Sequence, residues 1–231
     1  MLETLKQEVC DANLRLVREQ LVILTWGNAS ARDASGRLLV IKPSGVAYEK
    51  MTPDDMVVVD LASGDVIEGS LRPSCDTATH RRLYLAFPEL GGIVHTHSTF
   101  ATVWAQARRD LPNLGTTQAD YFRGDVPCTR ALAAGEIGSR YEWETGSVII
   151  ETFQERNLSP LEMPAVLVAS HGPFTWGNSV DHAVETAIVL EQAAKLATMT
   201  RTLNPSPDPD PELLHYHFYR KHGACAWYGQ S

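Results

Sequence analysis

His95 and His97 stand two residues apart in GGIVHTHS, at the end of an apolar run that reads as a strand. Side chains two apart on a strand share a face, so both imidazoles point the same way. His171 ends a second apolar run, AVLVAS, and is followed by Gly172 and Pro173. Two strand ends in one sheet can meet, and three converging imidazoles suit Zn²⁺ or a related divalent metal. A lone histidine at either place would be an ordinary core or surface residue. Asp76, in RPSCDTATH, is a fourth candidate ligand. An Asp before Thr-Ala-Thr is equally a good helix N-cap.

Three polar turns could hold an anion. Pro73, Ser74 and Cys75 precede a helix start, where exposed backbone N–H groups attract negative charge. Thr25, Trp26, Gly27 and Asn28 offer close backbone approach and an amide donor. Lys42, Pro43, Ser44 and Gly45 add a fixed positive charge beside a hydroxyl. Each alone is commonly just a turn. Together with a metal cluster they point to a phosphorylated substrate.

The elements that must position these residues follow from periodicity. Leu2, Leu5, Val9, Ala12 and Leu16 step by three and four, so the chain opens with an amphipathic helix. TWGNAS at 25–30 reads as a turn, and GRLLVIKPSG at 36–45 as a buried strand. MVVVDLASGDVIEG carries a hairpin signal around Ala62, Ser63 and Gly64. Asp76 opens a helix, and Ser98 caps the helix after GGIVHTH. SVIIE at 147–151 and AVLVASHG at 165–172 read as two more short strands. Ser179 begins a long helix whose apolar face includes Ala183, Val184, Ala187, Leu190 and Ala194. A Pro-rich connector at 204–211 leads to a last helix and an aromatic tail, 212–231. The whole chain, 1–231, is expected to form one domain. Irregular alternation with hairpins predicts an α/β fold, a mixed or mainly antiparallel sheet with helices on both faces.

Composition narrows the function. The chain has 231 residues, with 20 Lys and Arg against 28 Asp and Glu, a net charge of −8. No basic run breaks that balance, which argues against nucleic-acid binding. No stretch of about 20 apolar residues occurs to span a membrane. The start has no apolar signal core, and Cys10, Cys75, Cys128 and Cys225 lie far apart with no C-x-x-C pair. Scattered thiols suit a reducing cytoplasm.

TWGNAS, IKPSGVAYEKM, PSCDTATH, GGIVHTHS, QADYF, YEWETG, SHGPFTWG and RKHGACAWYGQ together resemble the class II aldolase/epimerase (AraD-like) family. The likeness runs in order along essentially the whole chain. EWETG and the aromatic tail resemble its epimerase branch in particular. The resemblance implies a three-layer αβα fold with a central, mainly antiparallel mixed sheet flanked by helices. It implies that Asp76, His95, His97 and His171 surround one divalent metal, usually zinc. It also implies a phosphate pocket of Asn28, Lys42, Ser44, Gly45, Ser74 and Cys75. An acid/base pair would be Asp120 and Tyr228, with Thr116, Glu142 and His217 in support. In such epimerases a neighbouring subunit of a homotetramer completes each site. Asp120 as a solvated loop acid and Tyr228 as a packing aromatic remain the simpler readings of those two residues.

The implied reaction interconverts L-ribulose 5-phosphate and D-xylulose 5-phosphate by breaking a C–C bond and remaking it. That needs a metal with open coordination positions, a grip on the phosphorylated aldehyde fragment, and an acid/base on each side of the aldehyde. A family aldolase cleaving a ketose 1-phosphate such as L-fuculose 1-phosphate is the alternative. Such aldolases usually place Glu where Asp76 stands. A non-catalytic module like the adducin head has no need of convergent imidazoles. Two departures from the epimerase pattern stand out. Cys75 replaces a usual Ser, and a thiol is a weak donor. Gln118 stands where His is frequent.

Overall fold

The computed structural model describes residues 2–138, 140–222 and 226. Helix α1 (Leu2–Arg18) is followed by strands β1 (Asn28–Arg32), β2 (Leu38–Ile41), β3 (Val57–Asp60) and β4 (Val66–Glu68). Then come α2 (Thr77–Ala86), β5 (Gly92–His95), α3 (Thr99–Ala107), α4 (Thr116–Ala119) and α5 (Tyr141–Glu155). Strands β6 (Ala165–Leu167) and β7 (Pro173–Gly177) precede α6 (Val180–Leu203) and α7 (Pro211–His222).

The seven strands form one sheet in the order β4-β3-β2-β1-β5-β7-β6. Every strand pairing is antiparallel, so the mainly antiparallel sheet expected from the sequence is completely so among the described strands. Alternation sorts the side chains into two layers. Leu39, Ile41, Val57, Val59 and Ile93 pack with α2, α3, α5 and the second half of α6. Ala29, Ala31, Val40, Val58 and Val94 face α1 and the first half of α6. This is the three-layer arrangement, with period two in the strands deciding which core each residue joins.

Several elements stand where periodicity puts them. Val9, Ala12 and Leu16 of α1 are buried, as are all five apolar-face residues expected of α6. Ser179 caps α6 by accepting from the His182 backbone N–H. Two readings are corrected. SVIIE belongs to α5, not to a strand. Its β-branched run looks like a strand in isolation, but Thr145, Val148, Ile149, Thr152 and Phe153 step by three and four along one buried face. TWGNAS is a turn only up to Gly27, since β1 starts at Asn28. Asn28 and Ser30 are buried polar residues on the site-facing side, so the usual apolar alternation is missing. Among the described residues, no helix is long and apolar enough to cross a membrane.

Candidate metal and anion site

The sheet register brings the site together. Asn28 of β1 pairs with His95 of β5, and His95 pairs with Phe174 of β7. The His95 ring stacks on Phe174, with centroids 4.2 Å apart. His95 Nδ1 lies 2.9 Å from the Pro173 carbonyl. A carbonyl only accepts, so Nδ1 carries the proton and Nε2 is a bare lone pair. That lone pair lies 3.0 Å from His97 Nε2. His97 stands two residues past the end of β5, so the shared face persists into the loop. His171 closes the cluster, its ring 4.7 Å from His95 and 5.0 Å from His97. One ligand nitrogen from each of the three lies within 4.8 Å of the others.

Local backbone chemistry presents these rings. Ser170 has φ +63°, a left-handed conformation that costs a non-glycine residue, and it turns His171 inward. A Cβ on Gly172 would come 2.8 Å from the Thr96 carbonyl, so only glycine lets the two histidine loops touch. The loop from His97 enters α3, where Ser98 makes no side-chain cap bond. Glu191 of α6 does that work. Its two oxygens accept from the backbone N–H groups of Phe100 at 2.8 Å and Ala101 at 2.9 Å.

Asp76 occupies the N-cap position of α2 but makes no cap bond. Its carboxylate instead accepts from Asn28 Nδ2 at 2.7 Å. Burial works to raise this carboxyl, yet His95, His80 and the Asn28 amide hold it below its ordinary value. Burial first, then His95 and His97, push His171 down to about 3. Burial and His95 lower His97 as well. Both are therefore neutral at pH 7, the form in which imidazole binds a metal.

Lys42 is 2% exposed, and among the described residues it has no ion pair. Its Nζ reaches only the carbonyls of Thr25 and Pro43, at 3.4 and 3.3 Å, above the Tyr48 ring. Burial lowers its pKa. A buried cation without a counter-ion is costly unless an anion joins it. The two turns that flank it are tied together, Ser44 N–H to the Arg72 carbonyl and Ser74 N–H to the Lys42 carbonyl. Asn28 Oδ1 is a buried acceptor with no partner among the described residues. The Cys75 thiol is pushed up by burial and by Asp76 and Glu142.

One cavity of about 350 Å³ takes in Asp76, the three histidines, all six expected phosphate-pocket residues and Glu142. Trp26, part of one of the three anion turns, also lines it, as does Tyr141, which the sequence does not mark as a site residue. Tyr141 is a telling omission, because its hydroxyl is 3.2 Å from His171 Nδ1. Its signal in the sequence was only its place beside Glu142.

Asp120 and His217 are absent from that cavity and form a second cluster. The Asp120 carboxylate accepts from His217 Nδ1 at 3.0 Å and from Arg220 Nη2 at 3.1 Å to each oxygen. Lys221 Nζ is 3.4 Å away. Burial would raise Asp120, but Arg220, His217 and Lys221 outweigh it and hold the carboxyl low. Asp120 is thus a paired, half-buried acid, not a solvated loop residue. Thr116 begins α4 and also lies off the cavity. Gln118 is buried and reaches the Leu111 carbonyl. Tyr228 lies outside the described residues.

The donor set fits a divalent cation. His95 is locked with its lone pair inward, two of its neighbours are neutral, and a carboxylate lines the same cavity. The sequence profile of the class II aldolase and adducin N-terminal domain matches residues 7–198. The chain is 56% identical over 231 residues to L-ribulose-5-phosphate 4-epimerase UlaF of Salmonella paratyphi C, covering 100% of both chains. The UlaF of Salmonella choleraesuis is equally similar. Among solved structures, an L-fuculose 1-phosphate aldolase superposes with a TM-score of 0.78 at 26% identity, covering 93% of this chain and 94% of that one. With this fold, this cavity and these likenesses, the chain belongs to the class II aldolase and adducin N-terminal domain family.

Proposed function

We propose that this protein is an epimerase that interconverts L-ribulose 5-phosphate and D-xylulose 5-phosphate, with one divalent cation, Zn²⁺, held by His95, His97, His171 and Asp76. The observation that carries the reading is the sharing of one cavity by an imidazole triad and a buried lysine that lacks an acid partner. Full-length identity to 4-epimerases supports it.

When bound, the cation supplies Lewis-acid stabilisation of the negative charge that builds up on the substrate's oxygens. The chain's own residues do the rest. Lys42, with the hydroxyls of Ser44 and Ser74 and the Asn28 amide, grips the phosphate. Gly45 and Cys75 contribute backbone at the same turns. A proton leaves the C4 hydroxyl, the C3–C4 bond breaks, and the bonding pair stays on the three-carbon fragment. The held phosphate lets the aldehyde turn without escaping. The bond re-forms on the opposite face, and the new alkoxide takes a proton back. Asp120 and Tyr228 serve the two faces of the aldehyde, supported by Thr116, Glu142 and His217. Asp120 and His217 stand off their own chain's cavity, which supports a homotetramer with sites completed by the neighbouring subunit. We read residues 1–231 as one domain. A cytoplasmic location goes with this reading, since Cys10, Cys75 and Cys128 are free thiols.

The test is a coupled assay for D-xylulose 5-phosphate supplied with L-ribulose 5-phosphate. Activity should vanish on chelation and return with Zn²⁺. Metal-loaded protein that forms no product would overturn the assignment.

A further inference from the structure

We propose that Tyr141 is a positioning residue for His171: its phenol oxygen accepts the Nδ1–H of His171 and so leaves Nε2 as the bare nitrogen available to a metal. The inference rests on the metal reading above and adds a residue to it.

The three imidazoles are not held alike. His95 has its tautomer dictated by the Pro173 carbonyl, an acceptor that allows no other arrangement. His171 has no carbonyl at Nδ1. It has the Tyr141 hydroxyl at 3.2 Å, which can donate or accept. For three nitrogens to serve one cation, each must be bare, so the proton of His171 has to sit on Nδ1 and the phenol has to receive it. A phenol that accepts keeps its own proton. It can offer that proton to the cavity it lines.

The frame that holds Tyr141 is stiff. It is the first residue of α5, and its backbone carbonyl accepts from Thr145 Oγ1 at 2.9 Å. The next carbonyl, of Glu142, accepts from Thr79 Oγ1 of α2 at 2.5 Å. A Cβ on Gly146 would meet Arg82 of α2 at 2.7 Å, so α5 lies tight against α2. Helix α2 begins at Asp76. One rigid helix pair therefore delivers both a carboxylate to the cavity and the outer partner of His171.

Tyr141→Phe removes the oxygen and keeps the ring. Metal affinity of the stripped protein, measured by competition with a chromophoric chelator, should weaken about 10–100-fold. The visible spectrum of the Co²⁺-loaded variant should differ from that of the loaded parent, while the thermal midpoint of the metal-free protein stays unchanged. Unchanged affinity and an unchanged Co²⁺ spectrum would overturn the inference and leave the metal reading standing. A fall in affinity accompanied by a fall in the metal-free midpoint would make Tyr141 a packing residue, which also overturns it. If the parent protein itself binds no metal, the proposed function fails first and this inference with it.

Discussion

Two polar clusters in this molecule have opposite balances. Among the described residues, the cavity holds groups whose demands are unmet: Lys42 has no counter-ion within 4.0 Å and Asn28 Oδ1 has no donor. The Asp120 carboxylate, by contrast, is paired at both oxygens. It takes His217 and Arg220 and lies beside Lys221, and the Asp120 carbonyl takes His222 Nε2 at 2.8 Å. An unsatisfied buried group is costly and is retained where a ligand will pair it. An acid at the end of α4, clasped by side chains of α7, is fixed in shape and ready to be presented elsewhere. On the proposed reading the first cluster receives the substrate, and the second is carried to the cavity of a neighbouring chain.

The sharpest way to break that contrast is to damage one cluster in each of two variants. His97→Asn and Asp120→Asn should each lower kcat by about 10²–10⁴-fold. If every site joins a cavity of one chain to Asp120 of the next, randomly mixed tetramers carry an intact pair at about a quarter of their sites. Refolding the two variants together should then restore that share of activity. No recovery, with subunit exchange confirmed separately, would mean that both halves act within one chain.

Lys42 gives a smaller effect with an unusual sign. Lys42→Met should raise KM about 10–100-fold by removing a hydrogen bond to a charged group. It should not lower the thermal midpoint of the metal-free protein, and is expected to raise it, because the lost charge is buried and has no ion pair among the described residues. Cys75→Ser should move KM the other way, lowering it by at most about 10-fold, since a hydroxyl replaces a weak thiol donor. A Lys42→Met protein that is less stable and has unchanged KM would make this lysine structural.

The two clusters also differ in how plainly the amino-acid sequence announces them. His95, His97 and His171 are legible because they follow apolar runs, although only His95 ends a strand: His97 lies two residues past β5, and the run expected as a strand to 172 stops at Leu167, leaving His171 in the turn before β7. The three anion turns are legible from Gly, Pro and Lys chemistry within four residues. Long-range partners are not. Glu191 caps α3 from another helix, and nothing near Ser98 signals that the local cap is unused. Arg220 and Lys221 read as a basic helix end, and only the docking of α7 on α4 turns them towards Asp120. Asp76 is ambiguous for a local reason: a cap and a ligand look the same in sequence, and only the structure shows that its carboxylate leaves the cap unmade and takes the Asn28 amide across the sheet. The strand at Asn28–Arg32 is hidden because function put polar residues where a strand normally shows apolar ones.

The smallest effect separates the clusters along the pH axis. His80 is fully buried, with Nδ1 on Ser30 Oγ at 2.7 Å and Nε2 without a partner among the described residues. Burial, helped by His95, pushes it from its ordinary 6.5 down to about 3, although Asp76 pulls the other way. The unfolded chain therefore takes up the His80 proton first as pH falls. Stability from this group is complete above pH 6.5 and declines down to about pH 3, by up to ~1.4 kcal/mol per pH unit. His171 contributes with the same sign in metal-free protein. Asp120 behaves differently, because its folded pKa is lowered. Its contribution is full above the unfolded value of about 4 and is lost only as pH falls towards the folded one. Urea unfolding of metal-free protein at pH 7.5, 6 and 5 should accordingly show falling stability. His80→Gln, which can still bond Ser30, should flatten that decline by one group's share. Asp120→Asn should leave the slope between pH 5 and 7.5 untouched. An equal slope in His80→Gln and the parent would show that His80 is not a neutral buried histidine. A change of slope in Asp120→Asn would show that this cluster, with His217 in it, also takes up protons in that range.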